Sequence, residues 1–167
     1  MPIALFLVVG MMVSCEMSVF YDEHKTIKDN VWNIDDKMVF NVEVDSADML
    51  ERYNFLIDLR NTREYPYSNA FLFIKTTFPN GGYALDTMEC PLTDPSGKWY
   101  GKVSSSHVDN RFYLRKDIIF PQEGMYQFEI FHYLRVLRVP VMLTLSAKRP
   151  TRLSMLTRSC SMVSRLR

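Results

Sequence analysis

Read for the alternation of apolar and polar positions, the chain breaks into short runs separated by turn residues, the spacing of an all-β sandwich. Tyr53–Arg60 puts Phe55, Ile57 and Leu59 on one face of a strand. Met125–His132 alternates Tyr126, Phe128 and Ile130 with Gln127 and Glu129. Ala70–Thr77 is apolar on both faces, Phe71 and Phe73 against Leu72 and Ile74, as a central strand requires. Phe40–Val44, Tyr83–Met88, Arg111–Leu114 and Ile118–Phe120 are further strand candidates. Pro79-Asn80-Gly81-Gly82 closes a hairpin between 70–77 and 83–88. Thr93-Asp94-Pro95-Ser96-Gly97 and Pro121-Gln122-Glu123-Gly124 are two more turns. No segment sustains a helical period. The pattern predicts a single antiparallel β-sandwich, jelly-roll or immunoglobulin-like, over residues 38–145.

The N-terminus follows a different pattern. Residues 1–14 are uncharged and almost wholly apolar, too short for the roughly 20 residues that span a bilayer. They have the length of the apolar region of an export signal. Met12-Val13-Ser14-Cys15 resembles a lipobox, with Met12 where Leu is usual. The cysteine is needed because its sulfur takes the diacylglyceryl group, and small residues before it admit the signal peptidase. We therefore expect a lipoprotein signal peptide over 1–14, cleavage between Ser14 and Cys15, and lipidation of Cys15. The polar stretch with Asp22, Glu23, His24, Lys25, Lys28 and Asp29 makes 15–37 a tether that runs into a first edge strand.

Composition adds two points. Eleven Phe and nine Tyr favour strands, because flat rings pack on a pleated surface. Residues 1–132 carry 12 basic and 19 acidic side chains, which argues against nucleic acid as the main partner. Cys15, Cys90 and Cys160 lack metal or redox spacing. With Cys15 lipidated, a Cys90–Cys160 disulfide is left open.

Candidate chemistry is sparse. His24, His107 and His132 have no partners at metal-ligand spacing, so no metal or other cofactor is expected. Ser104-Ser105-Ser106-His107 lacks a nucleophile elbow and reads as a polar loop. Asp35 and Asp36 read as solvated. No catalytic residue stands out, and the chain is not expected to be an enzyme. The aromatic residues Tyr65, Tyr67 and Trp99 are the candidate ligand or partner surface; if exposed together, they would make a lipid-anchored carbohydrate-binding module.

Several stretches resemble the gliding-motility lipoprotein family GldH. They are Tyr53-Asn54-Phe55-Leu56-Ile57-Asp58-Leu59-Arg60-Asn61, Tyr65–Ile74, Asp86–Asp94 and Gly97-Lys98-Trp99-Tyr100-Gly101. Val19–Glu23 and Trp32 also fit. The resemblance implies an outer-membrane lipoprotein, held by its lipid and working with other envelope and gliding-machinery proteins. It implies no catalytic residue, and carries over only the lipidated cysteine, here Cys15. The other motif residues read as fold determinants: Asp58 pairs with Arg60, Tyr65-Pro66-Tyr67 fixes a turn, and Gly97 and Gly101 bracket a tight connection around Trp99.

The resemblance ends near His132. Residues 133–167 carry eight basic and no acidic side chains. A reading frame shifted near 132–138 accounts for this change, and would cost the sandwich its last strand unless Val136–Leu145 pairs in its place. The rival reading is a native basic tail, disordered over 146–167. There Arg135, Arg138, Lys148, Arg149, Arg152, Arg158, Arg165 and Arg167 would meet anionic lipid headgroups.

Overall fold

A computed structural model of the chain describes residues 19–27, 31–33, 35–132, 136–138 and 141–149. Ser14, Cys15, Cys160 and the tail beyond Arg149 lie outside the described residues.

The described chain is almost entirely strand. β1 (Val19–Thr26), β2 (Val31–Asn33), β3 (Met38–Val44) and β4 (Tyr53–Thr62) come first, with a one-turn 3-10 helix at Asp48–Leu50 before β4. β5 (Asn69–Thr77), β6 (Tyr83–Pro91), β7 (Lys102–Val103) and β8 (His107–Ile118) follow. β9 (Gly124–His132), β10 (Val136–Arg138) and β11 (Val141–Lys148) close the described fold. They form a five-stranded sheet in the order β1-β11-β4-β8-β7, a four-stranded sheet in the order β3-β9-β5-β6, and a small β2–β10 pair. All pairings are antiparallel.

The two larger sheets pack as a sandwich because each offers an apolar face at every second residue. Tyr53, Phe55, Ile57 and Leu59 on β4 are buried, as are Phe40, Val42 and Val44 on β3 and Tyr126, Phe128 and Ile130 on β9. The Phe55 and Phe128 rings meet across the layers at 5.1 Å. β5 is a central strand, between β9 and β6. Its Leu72 and Ile74 are buried, whereas Phe71 on the other face is exposed.

Three elements differ from the sequence expectation. The stretch expected as a tether contains β1, an edge strand of the larger sheet. Its core-side positions are polar, which hid it. Tyr21 donates to Glu23, Lys25 pairs with Glu23 at 3.2 Å, and the Lys25 ammonium lies 5.3 Å from the Phe40 ring centre. Burial raises the Tyr21 hydroxyl pKa, while the Tyr21 hydrogen bond holds the Glu23 carboxyl below its usual value. Next, the runs 111–114 and 118–120 do not make two strands. The first belongs to one long strand, β8, whose end is irregular: Asp117 has φ 55 and its N–H donates to Asn54 Oδ1 at 3.0 Å.

The third difference concerns the last strand. β11 is present, between β1 and β4, and extends to Lys148. Leu143, Leu145 and Ala147 are fully buried, opposite Leu59, Ile57 and Phe55. The sheet therefore lacks no strand here, because the residues as they stand alternate with a period of two. Most of β11 lies in the 136–145 run read as able to pair, and Lys148 is its one basic residue.

Candidate partner surface

Two of the motif loops, 63–69 and 92–101, lie together at one end of the sandwich. After β4, Tyr65 N–H donates to Thr62 O at 3.2 Å, turning the chain so that the Tyr65 ring enters the core. Burial pushes the Tyr65 hydroxyl pKa up to about 12. Tyr67 stays outside, 49% exposed, with its ring edge-on to Tyr65 at 5.8 Å. Ser68 O then accepts from Leu92 N–H at 2.8 Å and Thr93 N–H at 3.1 Å, latching this loop to the one after β6.

That second loop is built on Asp94. Its Oδ1 accepts from Ser96 N–H at 2.8 Å, Ser96 Oγ at 2.6 Å and Lys98 N–H at 3.0 Å. These bonds, the Ser96 hydroxyl first, hold the Asp94 carboxyl below its usual pKa. Gly97 supplies the left-handed turn, with φ +84. Thr93 bridges to Trp99, and Tyr100 N–H donates to Leu92 O at 2.9 Å. Trp99 packs against the core and is half-buried, while its neighbour Tyr100 is 64% exposed. Gly101 cannot be larger: a Cβ there would lie 2.5 Å from Asp109 O and 2.4 Å from Asn110 Oδ1.

Of the three candidate rings, only Tyr67 is well exposed. Tyr65 is buried and Trp99 half-buried, so the three do not form a platform for a sugar ring. Tyr100, the neighbour of Trp99 in the same motif, is the more exposed ring. The signal was available in the Trp99-Tyr100 step, where one ring faces in and the next must face out.

The outer face of the larger sheet adjoins this end. Asp58 pairs with Arg111 through two contacts of 2.6 and 2.7 Å, and Arg60 with Asp109 at 2.6 Å. Asp58 and Arg60 therefore do not pair with each other. Residues two apart on a strand point the same way, and each meets its opposite number on β8 instead. The Arg60 hydrogen bond lowers the Asp109 pKa, and Asp58 raises that of Arg111. These four side chains, with Lys102, Met142 and Thr144, line a groove of about 510 Å³. Exposed pairs of this kind are worth about 0–1 kcal/mol each, so they pattern the face more than they stabilise it.

The remaining candidates sit apart. Ser106 Oγ lies 3.2 Å from His107 Nδ1, and His107 Nε2 lies 3.6 Å from Asp109 Oδ2. The residue types are those of a triad, but the second distance is too long for a hydrogen bond and Asp109 is already held by Arg60. Asp36 caps a turn, accepting from Asn33 Nδ2 at 3.0 Å. His24 is exposed on β1, and His132 is buried against Trp32. Cys90 is fully buried, which pushes its thiol up to about 12. Among the described residues no group of three or more His, Cys, Asp or Glu is placed to hold a metal ion. No helix among them is long and apolar enough to cross a membrane.

Comparison with known proteins places the chain as a whole. A family model described as GldH lipoprotein matches residues 19–145, reaching past His132 and through most of β11. The chain is 31% identical over 122 residues to a gliding motility lipoprotein GldH homolog of Christiangramia forsetii, covering 73% of each chain. It is 28% identical over 131 residues to the gliding motility lipoprotein GldH of Flavobacterium johnsoniae, covering 78% of this chain and 79% of that one. A solved structure of tripeptidyl peptidase 2 aligns with TM-score 0.40 and 8% identity over 80% of this chain and only 10% of that one, too weak a likeness to carry an argument.

Proposed function

Because the chain belongs to the GldH lipoprotein family, we propose that it is a non-catalytic component of a surface motility or secretion-associated assembly, held at the outer membrane by lipid on Cys15. In this reading the export signal is cut between Ser14 and Cys15, and the cysteine sulfur carries the acyl chains. At about 0.8 kcal/mol per buried CH₂, two or three chains attach the protein stably where one would be marginal. The folded part then has to present a surface to other envelope proteins.

The observation that carries this reading is the family match over 19–145, which begins four residues after the lipobox cysteine. The loops at 63–69 and 92–101 are the surface we assign to partners. They are tied together by the Ser68 bonds, and they place Tyr67 and Tyr100 outward on a fixed frame.

The test is metabolic labelling with a fatty acid such as palmitate, followed by capture of membrane proteins on the tagged chain. Label should enter the wild type and be lost from Cys15→Ala. Equal labelling of the two removes the anchor from the account. A Tyr67→Ala/Tyr100→Ala double variant should keep the label and lose captured envelope proteins. Unchanged capture would remove these loops from the partner surface.

A further inference from the structure

The start of β1 and the end of β11 lie side by side, with Val19 opposite Lys148. The end of the sandwich they mark is closed by a cluster of rings: Phe20 to Tyr53 at 4.6 Å, Tyr53 to Phe120 at 5.4 Å and Phe120 to Tyr126 at 5.0 Å. Two loops are stitched to the same place. Asp48 accepts from the Tyr53 hydroxyl at 2.9 Å, and Arg52 reaches Asp117 O at 3.4 Å. Residues 45–52 and 118–124 therefore share this end with the chain's entry into the fold.

Three residues, Glu16, Met17 and Ser18, separate Cys15 from Val19. The four steps from Cys15 to Val19 reach at most about 14 Å. A nine-residue strand such as β9 is roughly 30 Å long. A lipid on Cys15 therefore keeps this end within reach of the bilayer surface and holds the loops at 63–69 and 92–101 well away from it.

Exposed aliphatic side chains are concentrated at the near end. Leu50 stands out at 86% exposed, at the tip of the 3-10 turn. Ile119 at 47%, Met125 at 49% and Val19 at 48% lie at this end too. At the opposite end the exposed large apolar residues are Tyr67, Phe71, Tyr100 and Val103, of which only Val103 is aliphatic. Bare aliphatic tips are costly in water and suit the boundary between headgroups and acyl chains. The two loops carry Asp45, Asp48, Glu51 and Glu123 against Arg52, with Lys148 and Arg149 beside them and Glu51 4.0 Å from Arg149, so apolar contact rather than basic charge makes the fit.

We infer that the end of the sandwich bearing Leu50, Ile119 and Met125 rests on the membrane that holds the chain's own lipid. This inference depends on the lipidation of Cys15 proposed above. It goes further in fixing which end of the domain meets the bilayer.

The test uses the full lipidated chain in phosphatidylethanolamine vesicles doped with a phospholipid carrying a diazirine near the glycerol. After photolysis, crosslinked peptides should come from residues 45–52 and 118–125, several-fold above those from 63–69 and 92–107. A Leu50→Glu/Ile119→Glu variant, altered only at exposed positions, should keep its anchor and lose most of those crosslinks. Raising the salt concentration should leave the pattern in place. Crosslinks shared evenly between the two ends, or confined to the distal loops, would overturn the inference, as would none at all within the domain. Mass spectrometry of the N-terminal peptide reads the anchor separately. An unmodified Cys15 refutes the lipidation itself, whereas an acylated Cys15 with no crosslinks at 45–52 or 118–125 refutes only the orientation.

Discussion

At the residue scale, the informative positions are buried polar groups and a glycine without room. His132 is fully enclosed, its Nε2 3.0 Å from Trp32 O and its ring 4.5 Å from the Trp32 ring. Burial lowers its pKa from the ordinary 6.5. The folded state thus holds a neutral imidazole, and the unfolded chain binds a proton first as pH falls. Stability contributed here is full above about pH 6.5 and declines as pH drops below it. Thermal midpoints measured between pH 7.5 and 5.5 should fall for the wild type and stay flatter for His132→Gln. Parallel curves would mean that His132 is not the group responsible. Gly101→Ala should cost about 1–3 kcal/mol, since backbone must move to admit the methyl group, and urea denaturation reads this directly. These positions were only partly legible beforehand. The tight connection around Trp99 could be read from the glycines. The destination of the Asp58 and Arg60 charges could not, because it depends on a register that brings Arg111 and Asp109 opposite them.

At the element scale, a strand is recognisable when its pattern is unmixed. β4, β5 and β9 carry alternating or continuous apolar runs, and were legible for that reason. β1 was not, because an edge strand tolerates Tyr21, Glu23 and Lys25 on its core side when they satisfy one another. β11 was partly legible in the apolar run 136–145, and Leu143, Leu145 and Ala147 supply its buried face. It joins β1 to the rest of the larger sheet. Leu145→Ala should therefore destabilise by about 2–5 kcal/mol in a denaturation series. A chain ended at Pro140 should do worse, leaving β4 with an open edge and β1 with nothing to pair with; aggregation by light scattering is the expected result. A soluble, monomeric product with wild-type stability would show that β11 is dispensable.

At the scale of the whole molecule, the sandwich could be expected from aromatic content and turn spacing. The orientation inferred for it could not, since that requires knowing which loops share an end with Val19. Acid should unsettle the molecule in a second stage. Glu23, Glu129, Asp94 and Asp109 all have pKa values below the usual carboxylate range, held there chiefly by hydrogen bonds to Tyr21, Lys37, Ser96 and Arg60 in turn. Their contribution is complete above the unfolded pKa, near 4, and is lost as pH falls through the lower folded values. A His132→Gln chain should keep this lower transition. The antiparallel pairing of β1 with β11 also has a mechanical meaning. A load applied between the lipid and a protein gripping the distal loops runs lengthwise along β1. The backbone bonds from Val19 to Thr26 would then be sheared together rather than unzipped in turn. Under the anchoring proposed at Cys15, the strand nearest the lipid is the one that would bear tension.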